Sequence, residues 1–225
     1  VLRRMALDRL DHGQLGEGTT TESHLPKAVS GLTSGVSTVA AGDYHSCAIV
    51  SGALYCWGRN NVGQLGNGTT SASTTPVSAT GLTGAVSEIW ASGDVNPAIS
   101  STTCARDSVT VRCWGANHYA QISGIESPYV DANLVAPLSS TPSSISMQAS
   151  TLCAVSNGDV YCKGLNDYGQ LGTATSAYRS SAMAKIDGIS SVSKVVAGRY
   201  MVCAIKTDQT LACWGYGGSG NFGNG

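Results

Sequence analysis

Short runs of alternating apolar and polar residues, separated by glycines, recur along the whole chain. Residues 36–40 (VSTVA) alternate and are rich in β-branched side chains, and Gly42 ends the run. Residues 46–50 and 53–57 flank a Ser-Gly pair, which predicts the two strands of a hairpin. Pro76 to Ala79 begins a fourth run, because proline is tolerated at a strand start or on an edge strand. The segment has no 3.6-residue apolar period, so we expect strands and few or no helices.

The cysteines occur in pairs with nearly constant spacing. In CAIVSGALYCWG, a two-residue turn at Ser51 and Gly52 places Cys47 directly opposite Cys56. The pair next to such a turn is normally hydrogen-bonded, so the cysteines take a non-hydrogen-bonded position, where the Cα atoms come close enough for a disulfide. The fourth pair has one residue more, which fits a three-residue loop over 207–209. The predicted disulfides are Cys47–Cys56, Cys104–Cys113, Cys153–Cys162 and Cys203–Cys213.

Zinc is the competing explanation for paired cysteines. Zinc knuckles place about two to four residues between their ligands, whereas these pairs enclose eight or nine. The histidines do not recur with the cysteines either. We therefore predict disulfides, which use all eight cysteines, and no metal site.

A glycine-rich loop repeats along the chain at a period of about 50 residues. GQLGEGTT at 13–20 returns as GQLGNGTT at 63–70, degrades to AQISG at 120–124 and returns as GQLGTATS at 169–176. Four short strands in each unit of this length are typical of β-propeller blades. We expect one propeller region over residues 1–225, with units at about 13–62, 63–119, 120–168 and 169–220 and a partial copy (NFGNG) at 221–225.

The stretch CAIVSGALYCWGRNNVGQLGNGTT closely resembles the repeat of the regulator of chromosome condensation family. The resemblance covers roughly residues 11–225 and is weaker over 115–150. It implies an all-β propeller, typically of seven blades, of which this chain would hold about four. The repeat with paired cysteines resembles that of the secreted bacterial or algal branch of this family. The nuclear member is a nucleotide exchange factor that docks on nucleosomes, but this chain has disulfides and lacks a basic tail, which argues against both activities.

The repeated residues have a structural explanation, since every blade needs them. The glycines permit turns with positive φ, the glutamine side chain can satisfy buried backbone groups, and the leucine and tryptophan fill the space between blades. A binding site is expected instead in loop residues that differ between blades. The predicted scaffold residues are Gly13, Gln14, Leu15, Gly16, Trp57, Gly63, Gln64, Leu65, Gly66, Trp114, Gly169, Gln170, Leu171, Gly172 and Trp214.

Composition predicts a secreted protein of the extracellular space or cell surface. Only 12% of the residues are charged and the net charge is −1, so no basic surface attracts nucleic acid. Disulfides at this density persist in oxidising compartments. No run approaches the ~20 apolar residues that span a bilayer, and the N-terminal VLRRMALDRL lacks the apolar core of a secretory signal.

The sequence contains few signals of a catalytic, cofactor-binding or modification site. GSGNFG at 218–223 matches the dinucleotide-binding pattern but precedes no helix, so we expect no cofactor. His45 lacks a partner for catalysis and is expected to be an ordinary loop-side hydrogen bonder. Asn67 begins a glycosylation pattern that is also part of the repeated loop. The scattered carboxylates Asp43, Asp94, Asp107 and Asp167 lack calcium spacing. The tyrosines that could form a binding rim, or else pack blade edges, are Tyr44, Tyr119, Tyr129, Tyr178 and Tyr200.

The resulting functional hypothesis is a non-enzymatic, extracellular scaffold that binds a protein, forms a surface fibre or layer, or does both. A secreted propeller that inhibits an enzyme is the alternative, and a hydrolase or lyase is the least favoured. Residues 24–30 predict a fourth strand with no hairpin before it, and residues 192–214 predict three strands with no fourth. We therefore expect either a fragment of a longer array or copies that complete one another as a homo-oligomer or filament, rather than a closed four-bladed ring.

Overall fold

The chain forms antiparallel sheets throughout the part that the structure describes. The structure is a computed structural model that describes residues 12–93, 101–108, 110–122, 127–134, 141–174 and 177–218. Within these residues there are fifteen strands and no α-helix, which confirms the all-β prediction. The predicted partial copy at 221–225, most of GSGNFG, Asp94 and the Tyr129 side chain lie outside the described residues. None of the described segments forms a helix long and apolar enough to cross a membrane.

The strands form four sheets in which each strand pairs with its neighbour in sequence. The first sheet contains β1 (Val36–Ala41), β2 (His45–Val50), β3 (Ala53–Gly58) and β4 (Ser73–Ser78). The second contains β5 (Glu88–Ser92), β6 (Thr102–Arg106), β7 (Val111–Asn117) and β8 (Ser127–Leu134). The third contains β9 (Ser144–Gln148), β10 (Thr151–Ser156), β11 (Asp159–Leu165) and β12 (Arg179–Lys185). The fourth contains β13 (Val192–Ala197), β14 (Met201–Lys206) and β15 (Leu211–Gly215).

Each sheet is one propeller blade, and the blades associate in two compact units. Blades 1 and 2 form the first unit, and blades 3 and 4 form the second. The repeat boundaries and the single region over residues 1–225 stay predictions.

The hairpin registers are those that the sequence predicts. Val50 pairs with Ala53 and Cys47 pairs with Cys56. Ser51 and Gly52 have φ values of 50° and 82°, as the two positions of a type I′ turn require. The four disulfides lie within the four hairpins, with Cα–Cα distances of 4.0 to 4.2 Å. These short distances fit non-hydrogen-bonded pairs. The disulfide links the two central strands in blades 1 to 3, and in blade 4 it links β14 to the edge strand β15.

Two strand predictions differ from the structure. The fourth strand of blade 1 begins at Ser73 rather than Pro76, because β4 is an edge strand that tolerates a proline in its middle. Residues 24–30 are predicted to form a strand but form none, because no described strand lies beside them to supply hydrogen bonds. The three strands predicted within 192–214 form as a three-stranded sheet.

The hydrophobic cores lie between consecutive blades within each unit. In the first unit, Ile49 and Leu54 of blade 1 cluster with Val86, Ile89 and Trp114, which belong to blade 2 and the segment before it. In the second unit, Val155 and Val160 of blade 3 cluster with Val192, Val195 and Val202 of blade 4. The first blade of each unit therefore buries the side chains that surround its disulfide against the opposite face of the second blade.

Candidate functional site

The repeated loop holds one blade to the next through its glutamine. The Oε1 atom of Gln64 accepts a hydrogen bond from the backbone N–H of Val62 at 3.0 Å. Its backbone carbonyl accepts the indole N–H of Trp114 at 3.0 Å, and Trp114 belongs to the following blade. The carbonyls of Gln14 and Gln170 accept from Trp57 and Trp214 in the same way. The structure therefore places Gln64 with Trp114 and Gln170 with Trp214 at blade junctions, whereas Gln14 and Trp57 make the same bond beside blade 1.

An asparagine four residues before the motif glutamine completes the loop, and sequence reasoning missed it. The Oδ1 atom of Asn60 accepts the backbone N–H of Leu65 at 2.9 Å. Asn117 and Asn166 make the equivalent bonds to Ile122 and Leu171. The recurrence of asparagine at a fixed offset from the motif was the available signal.

The last glycine of the motif lies directly under the indole ring. Gly66 has a φ of 67°, and a Cβ atom added there would lie 2.5 Å from Trp114. A Cβ atom at Gly16 or Gly172 would lie 2.6 Å from Trp57 or 2.8 Å from Trp214. In the third copy of the motif the sequence has serine at this position, 123, which lies outside the described residues. Blade 3, which follows that copy, has a lysine in place of the tryptophan.

That lysine, Lys163, is fully buried. Its ammonium group donates a hydrogen bond to the backbone carbonyl of Ile122, so it replaces the indole N–H as the donor to the loop. Burial lowers the pKa of Lys163 to about 8, because the charged form loses its hydration. Blade 3 thus carries a titratable group inside its scaffold.

Ala120 provides a local test of the motif. It occupies the position of the first motif glycine and keeps a left-handed backbone, with a φ of 56°. An added Cβ at the equivalent Gly63 and Gly169 would meet nothing within 4 Å, whereas Ala120 is fully buried. Replacement by glycine relieves backbone strain of about 1–2 kcal/mol and loses the burial of a methyl group worth about 0.8 kcal/mol. We expect Ala120→Gly to stabilise the fold by about 0.5–1 kcal/mol. Chemical denaturation measures this, and an unchanged or lower free energy of unfolding would contradict it.

His45 is not a loop residue, contrary to the sequence-based expectation. It begins β2 and is fully buried. Its Nε2 atom lies 2.8 Å from Thr103 Oγ1, and that hydroxyl already donates to the Gln64 carbonyl. The Nε2 atom must therefore carry the proton and donate to the hydroxyl. Burial lowers the pKa of His45 to about 4, so the ring is neutral near pH 7 and joins blade 1 to blade 2.

The other predicted polar residues do not converge on one site. Asp107 is buried and accepts hydrogen bonds from Thr83 and Thr110, so it holds two loops together. Asn67 is half-buried and its Oδ1 accepts from Thr69; its glycosylation stays a prediction. Within the described residues, no group of three histidine, cysteine or acidic side chains could hold a metal ion.

Three tyrosines meet at one end of blade 4 and form the best candidate for a binding site. Tyr168 follows β11, Tyr200 precedes β14 and Tyr216 follows β15. The ring centroid of Tyr168 lies 4.8 Å from that of Tyr200 and 4.9 Å from that of Tyr216. Tyr168 and Tyr216 are exposed, and the Arg199 guanidinium lies 4.9 Å from the Tyr200 ring centroid. We call Tyr168, Tyr200 and Tyr216 the tyrosine cluster.

The same three positions hold different residues at the other blades. The backbone N–H of Tyr216 donates to the Tyr200 carbonyl before β14, and that of Arg59 donates to the Tyr44 carbonyl before β2. The equivalence of these positions between blades therefore rests on geometry as well as on sequence. In blade 1 this arrangement brings together a buried Tyr44, Arg59 at 5.4 Å from its ring and His12 at its edge. The equivalent residues of blade 2 are Val62, Ser101 and Ala116, and those of blade 3 are Tyr119, Ser150 and Leu165.

The rim of tyrosines that the sequence suggested overlaps with this cluster only at Tyr200. Tyr44 is buried, Tyr119 is half-buried and Tyr178 is exposed outside the cluster. Tyr168 and Tyr216 were missed, although each directly flanks a repeated motif: one precedes GQLG and the other follows CWG. Comparison of these flanking positions between the repeats would have found them.

Solved structures with the same fold include propellers from human and yeast. The crystal structure of human WBSCR16 matches with a TM-score of 0.72 and 21% identity, over 91% of this chain and 55% of that chain. A chain in the crystal structure of Kap60 bound to yeast RCC1 (Prp20) matches with a TM-score of 0.71 and 19% identity, over 91% of this chain and 47% of that chain. Prp20p from Saccharomyces cerevisiae matches with a TM-score of 0.68 and 19% identity, over 88% of this chain and 47% of that chain. The protein thus spans about half the length of these structures.

Sequence comparison assigns the repeats directly. No curated protein matches the chain. The pattern of the regulator of chromosome condensation (RCC1) repeat matches residues 10–49, 51–95 and 157–205, and a second pattern of that repeat matches 36–64. The matched residues make up more than half of the chain and contain the hairpin of blade 1. The chain therefore belongs to the regulator of chromosome condensation repeat family.

Proposed function

We propose that the protein is a non-enzymatic scaffold that binds a protein partner through the tyrosine cluster of blade 4. The observation that supports this most is the contrast between constant and variable positions. The motif glutamines and tryptophans form the blade junctions, whereas the cluster occupies positions that change from blade to blade. Loop residues that differ between otherwise similar structural elements are where binding sites usually lie.

The chemistry of the cluster suits a protein partner. Tyrosine and arginine are enriched at the centres of protein interfaces, because each combines a large apolar area with a polar group. Here two exposed tyrosines stand beside a third that is paired with Arg199. The rings also contact one another, which limits the side-chain entropy that binding would remove.

Two of the similar structures support protein binding as the general role of the fold. One is of yeast RCC1 (Prp20) bound by Kap60, and the other concerns the binding of Prp20p to Gsp1p and histones. We extend to this chain only the binding of a protein. The four disulfides favour an extracellular or other oxidising location for that role.

A binding experiment with paired variants tests the cluster. The immobilised protein is exposed to the secreted and surface proteins of the source organism, and retained proteins are quantified by mass spectrometry. Because truncation of an interface hot spot costs about 2 kcal/mol or more, we expect Tyr168→Ser with Tyr216→Ser to lower retention of the specific partner roughly tenfold or more.

Tyr178→Ser is the matched control, since Tyr178 is an exposed tyrosine that also pairs with an arginine but lies outside the cluster. Its retention profile should equal that of the wild type. A partner retained equally by the double variant would show that binding takes place elsewhere on the chain.

A role in building a fibre or layer is the second candidate. The observation that favours it is independent of the tyrosine cluster: among the described residues, Val39 of blade 1 and Leu211 of blade 4 are 70% and 66% exposed.

A further inference from the structure

One copy of the repeated loop contains an acceptor pattern for N-linked glycans, Asn-X-Thr. The asparagine is Asn67 in the second copy, and Gly68 and Thr69 follow it. The equivalent residues of the first and fourth copies are Glu17 and Thr173. The repeat therefore does not require an asparagine at this position, which is one of those that vary between blades.

The side-chain oxygen of Asn67 is held by the loop. Its Oδ1 atom accepts hydrogen bonds from the Thr69 hydroxyl at 2.9 Å and from the Thr69 backbone N–H at 3.2 Å. It also accepts from Nδ2 of Asn60 at 3.2 Å, and Asn60 is fully buried. Because a backbone N–H can only donate, the contact with Thr69 identifies the accepting atom as the oxygen. The amide group of Asn67 is therefore held in one orientation.

The side-chain nitrogen of Asn67 points to the solvent. No described group accepts a hydrogen bond from it, and it does not belong to the buried side-chain atoms that lack a partner within the described part of the chain. Residues 69–72, which follow in the loop, are exposed. A Cβ atom added at Gly68 would meet nothing within 4 Å. The loop thus leaves room for a substituent on Nδ2.

The first copy of the loop shows what the fold needs at this position. The Oε1 atom of Glu17 accepts the Thr19 hydroxyl at 2.8 Å, as Oδ1 of Asn67 accepts the Thr69 hydroxyl. An ionised carboxylate has no N–H group to donate, so the loop uses an acceptor here and not an amide nitrogen. A group attached to Nδ2 of Asn67 would leave each of these hydrogen bonds in place.

We infer that Nδ2 of Asn67 carries an N-linked glycan. The donor is an oligosaccharide joined to a lipid diphosphate. A bond forms between Nδ2 and C1 of the first sugar, the bond between C1 and the lipid diphosphate breaks, and one amide proton is released with the diphosphate. Both hydrogen bonds from Thr69 join residues two apart, so they can form before the blades fold.

This inference rests on the extracellular or oxidising location proposed above, because the glycan is added during secretion. It does not rest on the tyrosine cluster. Asn67 lies in the first compact unit, whereas Tyr168, Tyr200 and Tyr216 lie in the second. Loss of the glycan should therefore leave binding through the tyrosine cluster unchanged.

Peptide mass spectrometry of the protein secreted by its source organism tests the inference. The amidase that removes N-linked glycans hydrolyses the Cγ–Nδ2 bond and leaves aspartate at position 67. In heavy-oxygen water we expect this aspartate to take up the label, together with the loss of the whole glycan mass from the intact protein. A parallel incubation without the amidase measures spontaneous deamidation before Gly68, and it should release no glycan.

Two variants separate the glycan from the hydrogen bonds of the loop. Asn67→Asp keeps the accepting oxygen and removes the nitrogen, so it should have the mass and the thermal midpoint of the amidase-treated wild type, apart from that one residue. Thr69→Ser keeps both the pattern and the hydroxyl, so it is the matched control and should retain the glycan.

A secreted protein with its four disulfides formed and Asn67 unmodified would overturn the inference and leave the proposed location intact. A glycan mass that persists in Asn67→Asp would also overturn it. A protein found inside the cell with reduced cysteines would instead refute the location and the inference together. The Tyr168→Ser, Tyr216→Ser double variant should keep the glycan, so this inference and the proposed binding site fail separately.

Discussion

Trp114→Ala is expected to lower the free energy of unfolding by about 4 kcal/mol, which is typical of a buried tryptophan replaced by alanine. Trp114 is fully buried between blades 1 and 2 and donates its indole N–H to the Gln64 carbonyl. Its removal leaves a closed cavity beside Ile49 and Leu54 and a buried acceptor with one partner fewer. Denaturant unfolding with the disulfides intact measures the loss.

Trp57→Ala is the matched comparison, because Trp57 makes the same hydrogen bond to the Gln14 carbonyl. It borders an open groove of blade 1 rather than a closed interface. Its loss therefore leaves no enclosed cavity, and we expect a destabilisation of about 2 kcal/mol in dilute solution. Equal losses for the two variants would show that the open groove of blade 1 is as well packed as the closed junction.

The hairpins could be predicted almost residue by residue because two constraints act on the same few positions. A cross-strand disulfide needs a particular pair type, and a two-residue turn fixes which residues face each other. Ser51-Gly52 and Asn157-Gly158 satisfy both constraints, and the registers follow. The edge strand β4 lacks such a constraint, so its start at Ser73 could not be found from its serines, threonines and proline.

The sequence shows the tyrosines of the cluster but does not predict that they lie together. Tyr168 and Tyr200 are far apart in sequence and meet because β11 ends where β14 of the next blade begins. That proximity depends on the stacking of blade 4 upon blade 3, which no spacing within one repeat encodes. Tyr44, which occupies the same repeat position as Tyr200, is buried instead, so the residue type alone does not decide exposure.

His45 and Lys163 show that the burial of polar side chains is equally hard to predict from the sequence. Each stands at the start or in the middle of a strand where the other repeats have different residues: threonine or methionine in place of the histidine, and tryptophan in place of the lysine. Sequence reasoning predicts a loop-side hydrogen bonder at His45 and no role for Lys163, whereas both are fully buried at contacts with the adjacent loop or blade. Departures from a repeat inside its scaffold therefore mark local substitutions of one buried donor for another.

Lys163 makes the stability of the protein depend on pH in an unusual direction. Its pKa is lowered by burial from 10.5 to about 8 in the folded chain. Between these two values the unfolded chain binds a proton that the folded chain does not, so stability rises with pH over this window. The full rise corresponds to about 3 kcal/mol, and the folded state lacks this stabilisation at neutral pH.

Lys163→Met should therefore abolish the rise in stability between pH 8 and pH 10.5. It should also make the protein more stable at pH 7 by about 2 kcal/mol, because the removed burial penalty exceeds the loss of about 1 kcal/mol from the hydrogen bond to the Ile122 carbonyl. Denaturant midpoints measured across this range test both effects, and the chain has no free thiol that would start disulfide exchange in alkali. Lys194→Met is the control, because Lys194 is exposed, and its curve should parallel that of the wild type. If the Lys163→Met curve also ran parallel to that of the wild type, the buried ammonium would have no part in the pH dependence of stability.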